Sequence, residues 1–225
     1  MTNITDITGK LEPGMWDYRV FPGLEGVIPA LAVDTVATVG EHGFFASRFV
    51  MSSITGTYLE AASHVLPDGP NLDAYSVADF IRPVKILRLG TLAAGTLIDG
   101  AMLAAAAPAI EPGDALIIDT GWHANWHRPG YVEHCPKMVP SALAWILEQP
   151  IGLLGVDVPA IEAAWSDADE DAKGGLLTKL FERGCLLLAP LVNLDQIGAD
   201  QGRLIALPLP VVGTSGAPVR AVVEW

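Results

Sequence analysis

The chain has 225 residues, 51% of them hydrophobic, and a formal net charge of −13. That length and apolar content allow one domain with a sizeable buried core. The acidic balance repels phosphate backbones and anionic membranes and argues against a nucleic-acid partner; no apolar run reaches the roughly 18 residues of a membrane span.

The opening "MTNITDITGKLEPG" lacks a basic start followed by an apolar segment, so it does not read as a signal peptide, and a cytoplasmic location is expected. Strands are predicted around "YRVFPG", "AVDTVATV" and "FFASRFVMSS", where aromatic and β-branched residues dominate. "VADFIRPVKILRLG" reads as a short helical turn leading through Pro83 into a strand at Val84 to Leu89. "DALIIDTGW" has the form of a buried strand ending in a polar loop. "PSALAWILEQ" predicts an amphipathic helix with Ser141 as N-cap after Pro140, and "IGLLGVDVP" a second buried strand. The acidic run from Ser166 to Lys173 reads as a solvated loop or helix start. "DAKGGLLTKLFERG" predicts a helix stopped by Gly184, "CLLLAPLVNL" a third buried strand, and the C-terminal end two strands around a Gly-rich hairpin. Alternating strands and helices in the second half imply parallel pairing. No repeat or linker composition interrupts the chain. The expectation is an α/β (mixed β/α) fold in one domain, residues 1–225. Cys135 and Cys185 make no disulfide framework, and Cys185 sits in an apolar run as a core residue.

Two segments concentrate chemistry. In "ITGTYLEAASH", Ile54 to His64, an extended backbone places Tyr58 and Glu60 on one face, with His64 close by. A buried glutamic acid beside a neutral imidazole suits proton transfer, and Tyr58 could offer a hydrogen bond to a developing oxyanion. The bland alternative is that Tyr58 and His64 only fill space and bond each other. The second segment, "TGWHANWHRPGYVEHCP", holds His123, His127 and His134 beside Trp122, Trp126 and Tyr131. Its aromatics and His123 suggest a pocket wall, and its histidines an alternative metal site; Pro129 and Gly130 interrupt any helical ligand spacing. Trp16, Tyr18 and Phe21 form a further aromatic group.

Taken in order, Gly56–Thr57 with His64, "GDALIIDTGW", "GVDVPAIE", "LAPLVNLDQI" and the closing "PVVGTSGAPVRAV" resemble the segments of the cyclase family that includes bacterial kynurenine formamidase and isatin hydrolase. The resemblance implies that family's layered fold with flanking helices, a small cyclic or aromatic substrate, and a homo-oligomer, dimer or tetramer. It also implies a divalent metal held by an H-x-G-T-H-x-D motif with a later His and Glu. Here those positions carry Ile54, Tyr58, Glu60, a residue near Leu177, and Ala189, a set that cannot hold zinc tightly. The expectation is therefore a metal-independent acid/base enzyme with no cofactor, running hydrolysis, cyclisation or lyase chemistry. Tyr58, Glu60 and His64 would be catalytic, and Trp16, Trp122, His123 and Trp126 would bind substrate. The alternatives are a non-catalytic ligand-binding or partner subunit, and a metal-dependent amide hydrolase with ligands in the His123–His134 loop.

Overall fold

The computed structural model describes residues 2–162 and 175–225. Its elements are β1 (Ile4–Asp6), β2 (Ala32–Ala37), α1 (Val39–His42), β3 (Ala46–Val50), β4 (Tyr58–Glu60), β5 (Ile81–Arg88), β6 (Leu97–Ile98), α2 (Gly100–Ala106), β7 (Ala115–Asp119), β8 (Lys137–Met138), α3 (Pro140–Glu148), β9 (Leu153–Val156), α4 (Leu176–Glu182), β10 (Leu186–Ala189), β11 (Gln201–Pro208) and β12 (Gly216–Glu224). The acidic run Ser166–Lys173 lies outside the described residues. Among the described residues no helix is long and apolar enough to cross a membrane.

Eight strands form one sheet in the order β1-β12-β11-β5-β7-β9-β10-β4, and β4 also pairs with β12. Seven of them thus close into a ring. β12 presents one edge to β4 around Pro218↔Tyr58 and, further along, to β1 around Asp6↔Val222. Closure leaves few unpaired backbone groups for another chain to capture. The central pairs β5–β7, β7–β9 and β9–β10 are parallel, as the strand–helix alternation predicts.

Strand alternation divides the core in two. Ala115 and Ile117 of β7 join Leu59, Leu153, Leu186 and Leu188 in the cluster that fills the ring. Leu116 and Ile118 point the other way, into a cluster with Leu154, Leu187, and Ile146 and Leu180 from the covering helices. Both faces are dry, so these strands read as continuous apolar runs; each fully buried aliphatic side chain stabilises the fold by roughly 1.5–3 kcal/mol.

Three local expectations change. "YRVFPG" is not a strand: Tyr18–Val20 form a 3-10 turn because the Asp17 carboxylate accepts from the Arg19 backbone N–H and pairs with its guanidinium. Helix α3 starts at Pro140 with Val139 as its cap residue, and the Ser141 hydroxyl accepts from the Gly100 N–H of α2 instead. Strand β5 already begins at Ile81 and takes in Pro83; pairing with β7 starts only at Val84, so the missing N–H falls at the unpaired end of that flank. Gly184 does end the α4 region, with φ +73°. Strands β2 and β3 stand apart as a two-stranded ribbon in which Val33 faces Phe49, both exposed.

Candidate active site

The chain enters β4 through Gly56, whose φ of +69° favours glycine and where a Cβ would collide with the Leu11 side chain. Thr57 then ties the turn down: its hydroxyl donates to the Pro190 carbonyl at 2.6 Å and accepts from the Gly9 N–H at 2.9 Å. Wedged between β10 and β12, β4 sends Leu59 into the ring, while Tyr58 and Glu60 emerge on the outer face. A 3-10 turn at Ala62–His64 brings His64 back, with Nδ1 3.3 Å from Glu60 Oε1. The extended stretch accounts for Tyr58 and Glu60 sharing a face, and the turn for His64 joining them.

These side chains line a cavity of about 300 Å³. Its roof is the N-terminal segment from Tyr18 to Ile28, its far wall Pro159 to Glu162, and its floor Leu187 and Ala189 of β10 with Leu177 of α4. Ile54, Tyr58, Glu60, Leu177 and Ala189, which sequence matching assigns to metal-ligand positions, converge on this one space. The donors they bring are a single carboxyl and a phenol. His64 and Glu162 also line the space, but among the described residues they and Glu60 do not all come within metal-ligand spacing of one another, and isoleucine, leucine and alanine offer no lone pair. The residues present do not fit the divalent ion that the resemblance implies.

Burial pushes the Glu60 carboxyl up to about 8, and lowers His64 below its ordinary value. At neutral pH the pair is therefore a protonated carboxyl beside a neutral imidazole, an uncharged dyad and not an ion pair. Burial raises Tyr58 and Tyr18 well above ordinary phenols. Their proton inventory is fixed by partners: Tyr18 donates to the Pro159 carbonyl at 2.9 Å, so the 2.8 Å contact between the two hydroxyls uses the Tyr58 proton. Tyr58 is left with lone pairs only. The oxyanion-donor role expected for it is not available in this arrangement, because its proton is already spent on Tyr18.

Glu162 also reaches the cavity, and its Oε1 accepts from the Leu177 N–H at 3.2 Å. Gly175 makes room for it, since a Cβ there would lie 1.8 Å from Glu162 Oε2. Sequence reasoning left Glu162 and Tyr18 out of the candidate set. The signals were present: Glu162 sits at the last polar position of the "GVDVPAIE" match, and Tyr18 belongs to the N-terminal aromatic group.

The remaining candidates assemble elsewhere. Trp16 packs edge-on against Trp126 and Tyr18 and against Tyr131, with centroids 5.0–5.7 Å apart. Trp122 is buried, and its indole N–H donates to the Tyr131 carbonyl. Trp16, Trp122, Trp126 and Tyr131 pack into the core with the "TGWHANW" loop, and of these rings only their neighbour Tyr18 lines the Glu60 cavity among the described residues. The indole N–H groups of Trp16 and Trp126 are buried without a partner. His123 and Trp126 instead border a separate open groove of about 1030 Å³.

The three loop histidines do not converge. His127 pairs with Glu12 at 3.1 Å, His134 is exposed, and His123 lies near Asp119 and Asp195. Among the described residues the one cluster with metal-ligand spacing is Asp119, His123 and Asp157. Its carboxylates are already engaged: Asp157 accepts from the Thr120 N–H and hydroxyl and the His123 N–H, and Asp119 from Arg88 and the Gly121 N–H. Asp157 caps the loop after β7.

A sequence profile of the family described as "Putative cyclase" matches residues 5–163. A kynurenine formamidase of Bacillus cereus is 29% identical over 181 residues, covering 79% of this chain and 78% of that one. One from Bordetella pertussis is 25% identical over 180 residues, covering 79% of each. In fold, the chain is similar to an isatin hydrolase A from Labrenzia aggregata bound to benzyl benzoate, with a TM-score of 0.84 at 22% identity, covering 99% of this chain and 93% of that one. It is likewise similar to an isatin hydrolase bound to the product analogue thioisatinate, with a TM-score of 0.88 at 21% identity, covering 100% and 92%.

Proposed function

The chain belongs to the cyclase family, and on that premise we propose that it hydrolyses the carbonyl–nitrogen bond of a small, mainly apolar cyclic or aromatic amide without a metal ion. The names of its relatives supply the reaction class. The observation that carries the metal-independent part is the Glu60–His64 contact in the cavity where the family's ligand positions meet but present Ile54, Leu177 and Ala189.

The dyad offers one proton and one lone pair to the cavity in either of two tautomers. With the proton on His64 Nδ1 directed at Glu60 Oε1, Nε2 has a lone pair and Oε2 carries a proton. Nε2 then removes a proton from water as the oxygen adds to the substrate carbonyl. Oε2 delivers its proton to the carbonyl oxygen, and the Nδ1 proton moves to Oε1. Collapse runs the relay backwards: Oε2 takes the proton from the new hydroxyl, Nε2 gives its proton to the leaving nitrogen, the C–N bond breaks, and the starting tautomer returns. No charge is created on the dyad at either step, which suits an apolar cavity. At 3.3 Å the two groups are in contact without hydrogen-bond alignment, so the relay requires this contact to shorten and align, as catalytic contacts do when substrate fills a site.

The test is hydrolysis of a panel of small aromatic amides and lactams by protein made without a metal-affinity tag, with elemental analysis and a chelator control. Turnover that is indifferent to chelation and falls at least ~100-fold in Glu60→Gln is the expected result. Turnover that requires about one metal ion per chain, or that survives Glu60→Gln, overturns the proposal. Absence of turnover across the panel, with ligand binding intact, favours the non-catalytic alternative.

A further inference from the structure

The inventory of protons and charges around the Glu60 cavity restricts what it can hold, and this restriction deepens the hydrolytic reading, on whose cavity it rests. Among the described residues no lysine or arginine lines the space. Two carboxyl groups do, Glu60 and Glu162. The two phenols contribute lone pairs, because the Tyr58 proton goes to Tyr18 and the Tyr18 proton to the Pro159 carbonyl. Among the described lining side chains, what remains to donate is the single proton that the Glu60–His64 pair presents. The other described side chains of the wall are hydrocarbon, from Phe21 and Ile54 to Leu187.

We infer that this cavity selects uncharged ligands that bring their own N–H or O–H donor, and excludes carboxylates, free amino acids included. A carboxylate withdrawn from water needs a cation or several donors, and the described lining offers neither, so its entry is disfavoured. A neutral amide meets complementary partners: its N–H faces the lone pairs of Tyr58 or a glutamyl oxygen, and its carbonyl takes the dyad's proton. The same selection acts on the product of amide hydrolysis, whose acid ionises and is then expelled from the cavity.

The experiment is equilibrium binding, measured by calorimetry at pH 7, of benzamide, N,N-dimethylbenzamide and benzoate, which share a ring and differ in donor and charge. Benzamide is expected to bind at least tenfold more tightly than benzoate, with the dimethyl amide between them. In Ile54→Arg, which places a cation in the wall, the preference for benzamide should shrink or invert. Benzoate binding as tightly as benzamide to the wild-type chain, or no benzamide binding at about 10 mM, overturns the inference, whatever the variant does. Because nothing here depends on turnover, the expected binding order with an inactive protein counts against the hydrolytic reading alone.

Discussion

Two carboxyl groups lie buried on opposite sides of β9 in the chain order, and they have opposite surroundings. Asp157 has no exposed surface and is pushed by burial to about 6, yet it accepts from the Thr120 N–H and hydroxyl and from the His123 N–H. Glu60 is as deeply buried and is pushed to about 8; among the described residues its carboxyl accepts no hydrogen bond, and the polar group beside it is His64 at 3.3 Å. Donor count, more than depth, separates them. A carboxylate surrounded by fixed N–H and O–H groups holds a loop in place, whereas one left beside a second titratable group in a cavity is free to exchange a proton.

The widest gap between the two should appear in stability as a function of pH. A carboxyl raised from an unfolded value of 4.5 to about 8 favours the folded chain fully below pH 4.5, and that contribution is lost as pH rises to 8. Melting curves of wild type and Glu60→Gln should therefore diverge over that window by up to roughly 5 kcal/mol in favour of the variant; parallel curves would show that Glu60 is not buried as a proton donor. Next in size, Asp157→Ala strands three donors and should destabilise the chain by roughly 3–4 kcal/mol, with Asp157→Asn costing less. A loss under about 1 kcal/mol by thermal melting would break the contrast from the other side. The hydrolytic rate should follow the neutral dyad, declining above about pH 8 as Glu60 ionises and again on the acid side of the ordinary histidine range as His64 gains a proton; in Glu60→Gln the alkaline limb should vanish from the residual rate. Smallest is Tyr18→Phe. It frees the Tyr58 proton for the cavity at a cost of about 1 kcal/mol in stability, and should raise benzoate affinity a few-fold by calorimetry. An unchanged benzoate constant would mean that Tyr58 already points its proton inward.

The ring of strands was largely legible because its members are buried on both faces: apolar runs such as Ala115–Ile118 and Leu186–Ala189 have few other structures open to them. Tyr58, Glu60 and His64 were legible as a trio from short-range spacing. The aromatic assignments were not, because Trp16, Trp122 and Trp126 differ from Phe21 only in what long-range packing brings to them, and no local pattern encodes that. The Tyr58 proton was equally hidden in the sequence: its direction depends on a carbonyl at Pro159, about a hundred residues away. Closure of the sheet through β4 and β12 likewise needs partners that are distant along the chain.

The β2–β3 ribbon has a structural consequence for the cavity. Ile28 lies just before β2 and Ile54 just after β3, and both line the space around Glu60. The ribbon is thus a handle whose two roots are set in the cavity wall, with Phe44, Phe45 and Phe49 exposed along its length. The two ends of an exposed apolar surface outside the ring continue directly into the roof and the wall of the space around Glu60.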